Sequence, residues 1–206
     1  MPKKEAPLAY LDNYLPAGAS EKLLEYLHQY KVHLTITRSR KSILGDYRHA
    51  TRSDNHRISV NGSLNKYAFL ITLIHEIGHL VTFQQYGNSV NSHGREWKLA
   101  YRRVLEDFLH LKLFPQDLHQ ALLKSLHDLP ASSCSDINLT RVLKNYDAKD
   151  KTILVEDIPE GALFRTSDGK IFKRGRRIRK RIECPELRTG KLYLFSPVYE
   201  VEPVIK

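Results

Sequence analysis

From Leu64 to about Gln84 the chain sets Phe69, Leu70, Leu73, Ile74, Ile77, Leu80 and Val81 at helical spacing, which gives a long helix with a broad apolar face. A helix that long and that apolar has to be covered by other elements, so the main core must be built around it. Within it, His75-Glu76-Ile77-Gly78-His79 breaks the apolar pattern with groups that ionise or bind metal. Histidines four residues apart project from one helix face, so both imidazoles can reach one ion. The intervening carboxylate points beside them, toward a water on that ion. Gly78 costs about 1 kcal/mol against alanine in a helix interior. A close approach by another segment or by substrate accounts for it, and so does simple tolerance.

Zinc in a hydrolytic site takes three protein ligands and keeps a fourth position open. The third ligand in this reading is His93, at the point where the polar loop Tyr86 to Ser92 gives way to another helix near Gly94. Glu96 and Glu106 are the alternatives, because a later helix can supply a glutamate; His93 comes first along the chain, and imidazole suits zinc. The expectation is one Zn2+ per chain, held by His75, His79 and His93, with Glu76 as the general base that deprotonates the attacking water. A structural zinc site has four protein ligands and leaves Glu76 without a role. Trp97 reads as a core anchor. Single histidines in polar segments, such as His28, His49 and His119, read as surface residues. Tyr47, Arg48 and Tyr86 are candidates for stabilising an oxyanion, and nothing in the sequence chooses among them.

Around this helix the pattern is α+β. Leu23, Leu24, Leu27 and Tyr30 make a short amphipathic helix from Ser20, which resembles an N-cap. Val32, Leu34 and Ile36, then Ile58 and Val60, alternate with polar residues before the Asn61-Gly62 turn, which predicts a small antiparallel sheet. Trp97, Tyr101, Val104, Leu105, Phe108 and Leu109 share one side of the helix after Gly94, and a further helix covers Gln116 to His127. The Ser-rich stretch Pro130 to Asp136 reads as a linker, followed by a short helix at Leu139, Val142 and Leu143. Beyond Lys151 the pattern turns strand-like, at Ile153 and Val155, Ile171 and Phe172, Ile178 and Ile182, Leu192 to Phe195, and Val198 to Val201. The organisation expected is therefore a core over 1–129, a linker and short helix over 130–150, and a basic β-rich module over 151–206.

The run Leu73-Ile74-His75-Glu76-Ile77-Gly78-His79-Leu80, followed by His93-Gly94-Arg95-Glu96-Trp97, resembles the SprT-like zinc-peptidase family. Leu44-Gly45-Asp46-Tyr47 and Arg57-Ile58-Ser59-Val60 are similar to that family's sheet before the active-site helix. The resemblance covers roughly residues 20 to 115. It implies a minimal zincin-like domain, a protein or peptide substrate and, by analogy with the Spartan proteases, action on proteins attached to DNA. Many members also carry a four-cysteine zinc ribbon at the C-terminus. Here the matching region, about 161 to 203, retains only Cys184, so a second zinc is not expected.

Charge bears on partners. The net charge is +10, and between Lys170 and Arg181 there are eight basic residues and no acidic one. Such a field attracts polyanions, so the C-terminal module is a candidate nucleic-acid contact, set against the plainer reading of a solvated basic face. No apolar run is long enough to span a membrane, and the start of the chain has no signal-peptide pattern. With only Cys134 and Cys184, far apart and read as free thiols, a cytoplasmic protein is expected. Two other functions are compatible with the same residues. One is a nucleic-acid-binding protein on an inactive protease-like scaffold with a non-catalytic metal site. The other is zinc hydrolysis of a small non-peptide substrate.

Overall fold

A computed structural model describes residues 8–38, 43–127, 136–148 and 151–204. Cys134, most of the proposed linker (130–135) and the polar start of the chain (1–7) lie outside them. The fold is α+β, with five α-helices among the described residues: α1 (Ser20–Gln29), α2 (Lys66–Tyr86), α3 (Arg95–His110), α4 (Gln116–His127) and α5 (Ile137–Lys144). The strands are β1 (His33–Thr37), β2 (Gly45–Arg48), β3 (Arg57–Asn61), β4 (Ile153–Leu154), β5 (Leu163–Arg165), β6 (Ile171–Lys173), β7 (Arg177–Ile178), β8 (Arg181–Pro185), β9 (Leu192–Phe195) and β10 (Glu200–Pro203). The chain divides into two compact units, Met1–Asp147 and Ala148–Lys206.

The first unit is organised by α2. Every residue from Phe69 to Gly78 is buried, so the helix is enclosed on all sides and not on one face only. Ile58 and Val60 of β3 pack in the same core as Phe69, Leu73, Ile77 and, from α3, Trp97, Leu105 and Phe108. Asn65 caps the helix. Its side-chain oxygen accepts from the backbone N–H groups of Tyr67 at 3.1 Å and Ala68 at 2.9 Å. The other end of the same amide donates to the Leu143 carbonyl at 3.1 Å and to Asp147 at 2.7 Å. This tether, with Leu139 buried in the core, builds α5 into the first unit, which runs to Asp147.

The sheet of this unit has the order β1-β3-β2 and is mixed, which corrects the antiparallel expectation. β1 runs parallel to β3, with Leu34 opposite Ile58 and Ile36 opposite Val60. β2 runs antiparallel to β3, with Gly45 opposite Val60 and Tyr47 opposite Ile58. Alternating apolar residues specify which face is buried but not strand direction, which the connections set. Strand β2 forms one edge, with β3 inserted between it and β1. Ser20 does not cap α1 either: the N-cap position is Ala19, which makes no side-chain cap bond.

The second unit is all β apart from a 3-10 turn at Val155–Asp157, with sheets of order β4-β10-β5-β6 and β7-β8-β9. Its core is Val155, Ile158, Phe164, Phe172, Ile182, Cys184 and Val201. Strand β5 is not among the strands expected from sequence; its one fully buried side chain is Phe164. Cys184 is a free thiol in that core, and burial raises its pKa.

Because Asn65 both caps α2 and ties α5 to it, Asn65→Ala is expected to lower the stability of the protein by about 1–2 kcal/mol. Urea unfolding followed by circular dichroism checks this; a midpoint equal to that of the wild type would show the cap to be dispensable.

Candidate metal centre

His75 and His79 lie on one face of α2, and His93 comes in from the loop that precedes α3. Their Nε2 atoms converge: His75 to His93 is 3.1 Å, His79 to His75 is 3.3 Å, and His79 to His93 is 3.0 Å. Tetrahedral coordination with metal–nitrogen bonds near 2.0–2.1 Å separates two ligand nitrogens by about 3.3 Å, so the spacing is that of a common ion. Hydrogen bonding does not account for the triangle. A neutral imidazole nitrogen is either a donor or an acceptor. Among three mutually adjacent Nε2 atoms, at least one pair must therefore set like against like, whereas a cation takes all three lone pairs at once.

The electrostatics favour the neutral rings that a metal requires. Burial, then the neighbouring His79 and His93, pushes the His75 pKa down to about 3. Burial, then His93, pushes His79 down to about 4, and burial lowers His93. At neutral pH the lone pairs are free. His75 Nδ1 is buried without a hydrogen-bond partner, which leaves Nε2 as the atom with a task. These three residues are the group among the described residues whose ligand atoms lie together.

The rings are held from behind by Trp97. Its ring centroid lies 4.7 Å from His75, 5.3 Å from His79 and 4.6 Å from His93, and its indole stacks on Tyr101 at 5.1 Å with planes 6° apart. Trp97 is thus the core anchor expected and also the wall of the site. Gly78 makes that wall possible. A Cβ there would stand 3.1 Å from Tyr101 Cβ and 3.2 Å from Trp97 Nε1, so close helix approach, not tolerance, explains the glycine. His93 has a left-handed backbone, with φ of 59°, which costs an L residue of its kind on the order of 1 kcal/mol. The turn is closed by the Gly94 N–H donating to the Asn91 carbonyl at 2.9 Å, and a Cβ on Gly94 would sit 2.9 Å from that same oxygen.

Glu76 is buried beside the triangle and joins the three histidines in lining a cleft of about 480 Å³. Strand β2 presses against it: a Cβ at Gly45 would be 2.5 Å from Glu76 Oε1 and 2.7 Å from Thr72 Cγ2. Only glycine lets the strand lie this close to the carboxylate. Neither Glu96 nor Glu106 lines the cleft, so the alternatives for the third ligand fall away from it. Of the oxyanion candidates, Tyr47 lines the cleft, while Arg48 and Tyr86 do not. His49, expected as a surface residue, is exposed but stands on the cleft rim, stacked on Phe83 at 4.6 Å. Sequence reasoning gave no role to His56, which is buried behind Tyr47; its surroundings are polar in sequence, and only the fold encloses it.

The model of the SprT-like family matches residues 17–117, the segment that supplies every residue of this site. Residues 17–117 are therefore a SprT-like domain. The chain is also 49% identical over 35 residues to Protein SprT of Pseudomonas putida (strain GB-1), a match covering 17% of this chain and 21% of that relative. The chain therefore spans about a fifth of that curated relative's length. No solved structure is a significant match. Among the described residues no helix is long and apolar enough to cross a membrane.

Three convergent neutral imidazoles are expected to bind about one divalent transition-metal ion per chain, and His93→Ala is expected to reduce its occupancy at least 10-fold. Elemental analysis after dialysis measures it. Full occupancy in His93→Ala would remove His93 from the ligand set.

Proposed function

We propose that this SprT-like protein is a zinc-dependent peptidase with a minimal zincin-like core. One observation carries the reading: a buried carboxylate, Glu76, stands in the same cleft as three convergent imidazoles without belonging to their ligand group. A non-catalytic metal site has no use for such a group. Zinc, when bound by His75, His79 and His93, supplies a Lewis acid for the scissile carbonyl and brings the pKa of a bound water to about 7.

The remaining work falls to the chain. Glu76 takes the proton of the attacking water and hands it to the leaving amine nitrogen, so one side chain serves as base and then as acid. Trp97 and the enclosed face of α2 keep bulk water away from the imidazoles. An extended peptide fits the edge of β2, which is unpaired among the described residues and whose residues Gly45 to Tyr47 line the cleft; main-chain pairing there reads backbone more than side chains. That mode suits a protease with broad sequence tolerance. A cytoplasmic setting accords with the free thiol of Cys184.

Proteins associated with nucleic acid are the substrates favoured by charge. In the second unit Lys173, Arg177, Arg179, Lys180 and Arg181 are exposed, and the Arg177 side chain bends to the Arg179 carbonyl at 3.3 Å, gathering charge at the β7–β8 turn. Acidic partners at this run are Asp168 for Lys170, Glu160 for Arg174 and Glu183 for Arg176. If phosphates bind here, affinity for single-stranded DNA falls steeply with salt and depends little on sequence. Replacing Arg176, Arg177, Arg179 and Arg181 together by Ser is expected to lower the slope of log K against log salt by roughly 2–3. Fluorescence anisotropy at several salt concentrations measures this, and an unchanged slope would reduce the run to a solvated face.

Glu76→Gln separates the peptidase from the competing reading, a nucleic-acid-binding protein on an inactive scaffold. The amide is nearly the same shape and cannot accept the water's proton. Zinc content and thermal midpoint should match wild type, while cleavage of a denatured basic protein, with single-stranded DNA present, should fall at least about 100-fold. Wild-type cleavage by zinc-loaded Glu76→Gln would end the mechanism.

A further inference from the structure

Tyr47 reaches the cleft from the strand that carries Gly45. Residues 45 and 47 of β2 face the same side, so the strand that lies against Glu76 at Gly45 presents Tyr47 to the same cleft. The Tyr47 ring is fixed by stacking on His56 at 5.9 Å, with planes 16° apart, and by Phe83 at 6.5 Å. Its hydroxyl lies 2.9 Å from His56 Nδ1.

That nitrogen has two donors for one lone pair. The backbone N–H of Ala50 points to it at 3.1 Å, which makes Nδ1 the acceptor and puts the ring proton on Nε2; the Gln84 amide, 2.8 Å away, accepts that proton with its oxygen, not its nitrogen, turned to the ring. The Ala50 hydrogen is fixed by the chain, whereas a hydroxyl hydrogen rotates. If Tyr47 turns its proton toward the cleft, His56 remains satisfied by Ala50, and no buried group is left without a partner. The ring is thus anchored while its proton is free to change partner. Burial raises the Tyr47 pKa, which keeps that proton in place at working pH. Arg48 is engaged with Asp46 at 3.0 Å, and neither it nor Tyr86 lines the cleft.

We infer that the Tyr47 hydroxyl donates a hydrogen bond to the scissile carbonyl oxygen as that oxygen takes up negative charge in the tetrahedral state. This role rests on the peptidase reading. Tyr47 keeps its proton throughout. The water oxygen bonds to the carbonyl carbon, the carbon–nitrogen bond breaks, and the proton taken by Glu76 ends on the leaving nitrogen. A donor aimed at charge that develops only in the transition state acts on turnover and not on substrate binding.

The test compares zinc-loaded Tyr47→Phe with wild type. The expected result is a kcat lower by roughly 10²-fold, with KM within about twofold. Zinc content and thermal midpoint should stay at wild-type values. A phosphinic peptide that mimics the tetrahedral state should bind more weakly by a similar factor, while the product peptide binds as before. A wild-type kcat in Tyr47→Phe would overturn the assignment. So would loss of zinc or of the thermal midpoint, which would make the hydroxyl a structural group. These outcomes leave the peptidase reading standing if wild type cleaves and Glu76→Gln does not. Absence of cleavage by zinc-loaded wild type would instead defeat that reading, and the role of Tyr47 with it.

Discussion

The close contact of α2 with α3 at Gly78 is the constraint on which the site depends. With no side chain at that position, the indole of Trp97 and the backbone of Tyr101 come against the helix that carries His75 and His79. Trp97 then stacks on Tyr101 and presents its remaining surface to all three imidazoles. The helix-propensity cost of the glycine, about 1 kcal/mol, is small against the burial of a whole indole, which contributes on the order of 3 kcal/mol. An alanine there would move the helices apart by a few tenths of an ångström, and the rings would lose their wall before the core lost much stability.

Enclosure of α2 also sets the chemistry. A helix buried on all sides holds Thr72, His75 and Glu76 away from water, and burial disfavours charge on an isolated imidazole. The result is a set of lone pairs rather than a set of cations, as the lowered pKa values of His75, His79 and His93 reflect. A divalent cation held by those lone pairs would also favour the charged form of a carboxylate buried nearby. Three imidazole lone pairs and a carboxylate in one cleft make a lining that suits a cation.

Much of this was legible in the sequence because helical periodicity is a strong local signal. Phe69 to Val81 marked α2, Trp97 to Leu109 marked α3, and Gln116 to His127 marked α4 with its observed ends. Histidines four apart on a helix have a fixed relation, so His75 and His79 could be paired without coordinates. His93 could be nominated only by its place before a helix, since its left-handed backbone and the turn through Asn91 and Gly94 are products of the loop. The parallel pairing of β1 with β3 was hidden because alternation carries no direction. The place of α5 was hidden because the bonds of Asn65 to Leu143 and Asp147 join residues about 80 apart in the chain. Gly45 was visible as a residue but not as a contact with Glu76.

Strand β2 shows how little freedom the arrangement leaves. In four residues it supplies the glycine that lies against Glu76, the tyrosine that enters the cleft, and an edge of the sheet. Period-two geometry divides its side chains: Gly45 and Tyr47 turn to α2, while Asp46 and Arg48 pair with each other at 3.0 Å. A slip of one residue would put Asp46 or Arg48 where Gly45 and Tyr47 now fit, and a side chain would have to enter the space already held by Glu76 and Thr72. The register is pinned by β3, where Val60 lies opposite Gly45 and Ile58 opposite Tyr47, both of them almost fully buried. Two apolar side chains of the core thus help to fix where Gly45 and Tyr47 stand against the cleft.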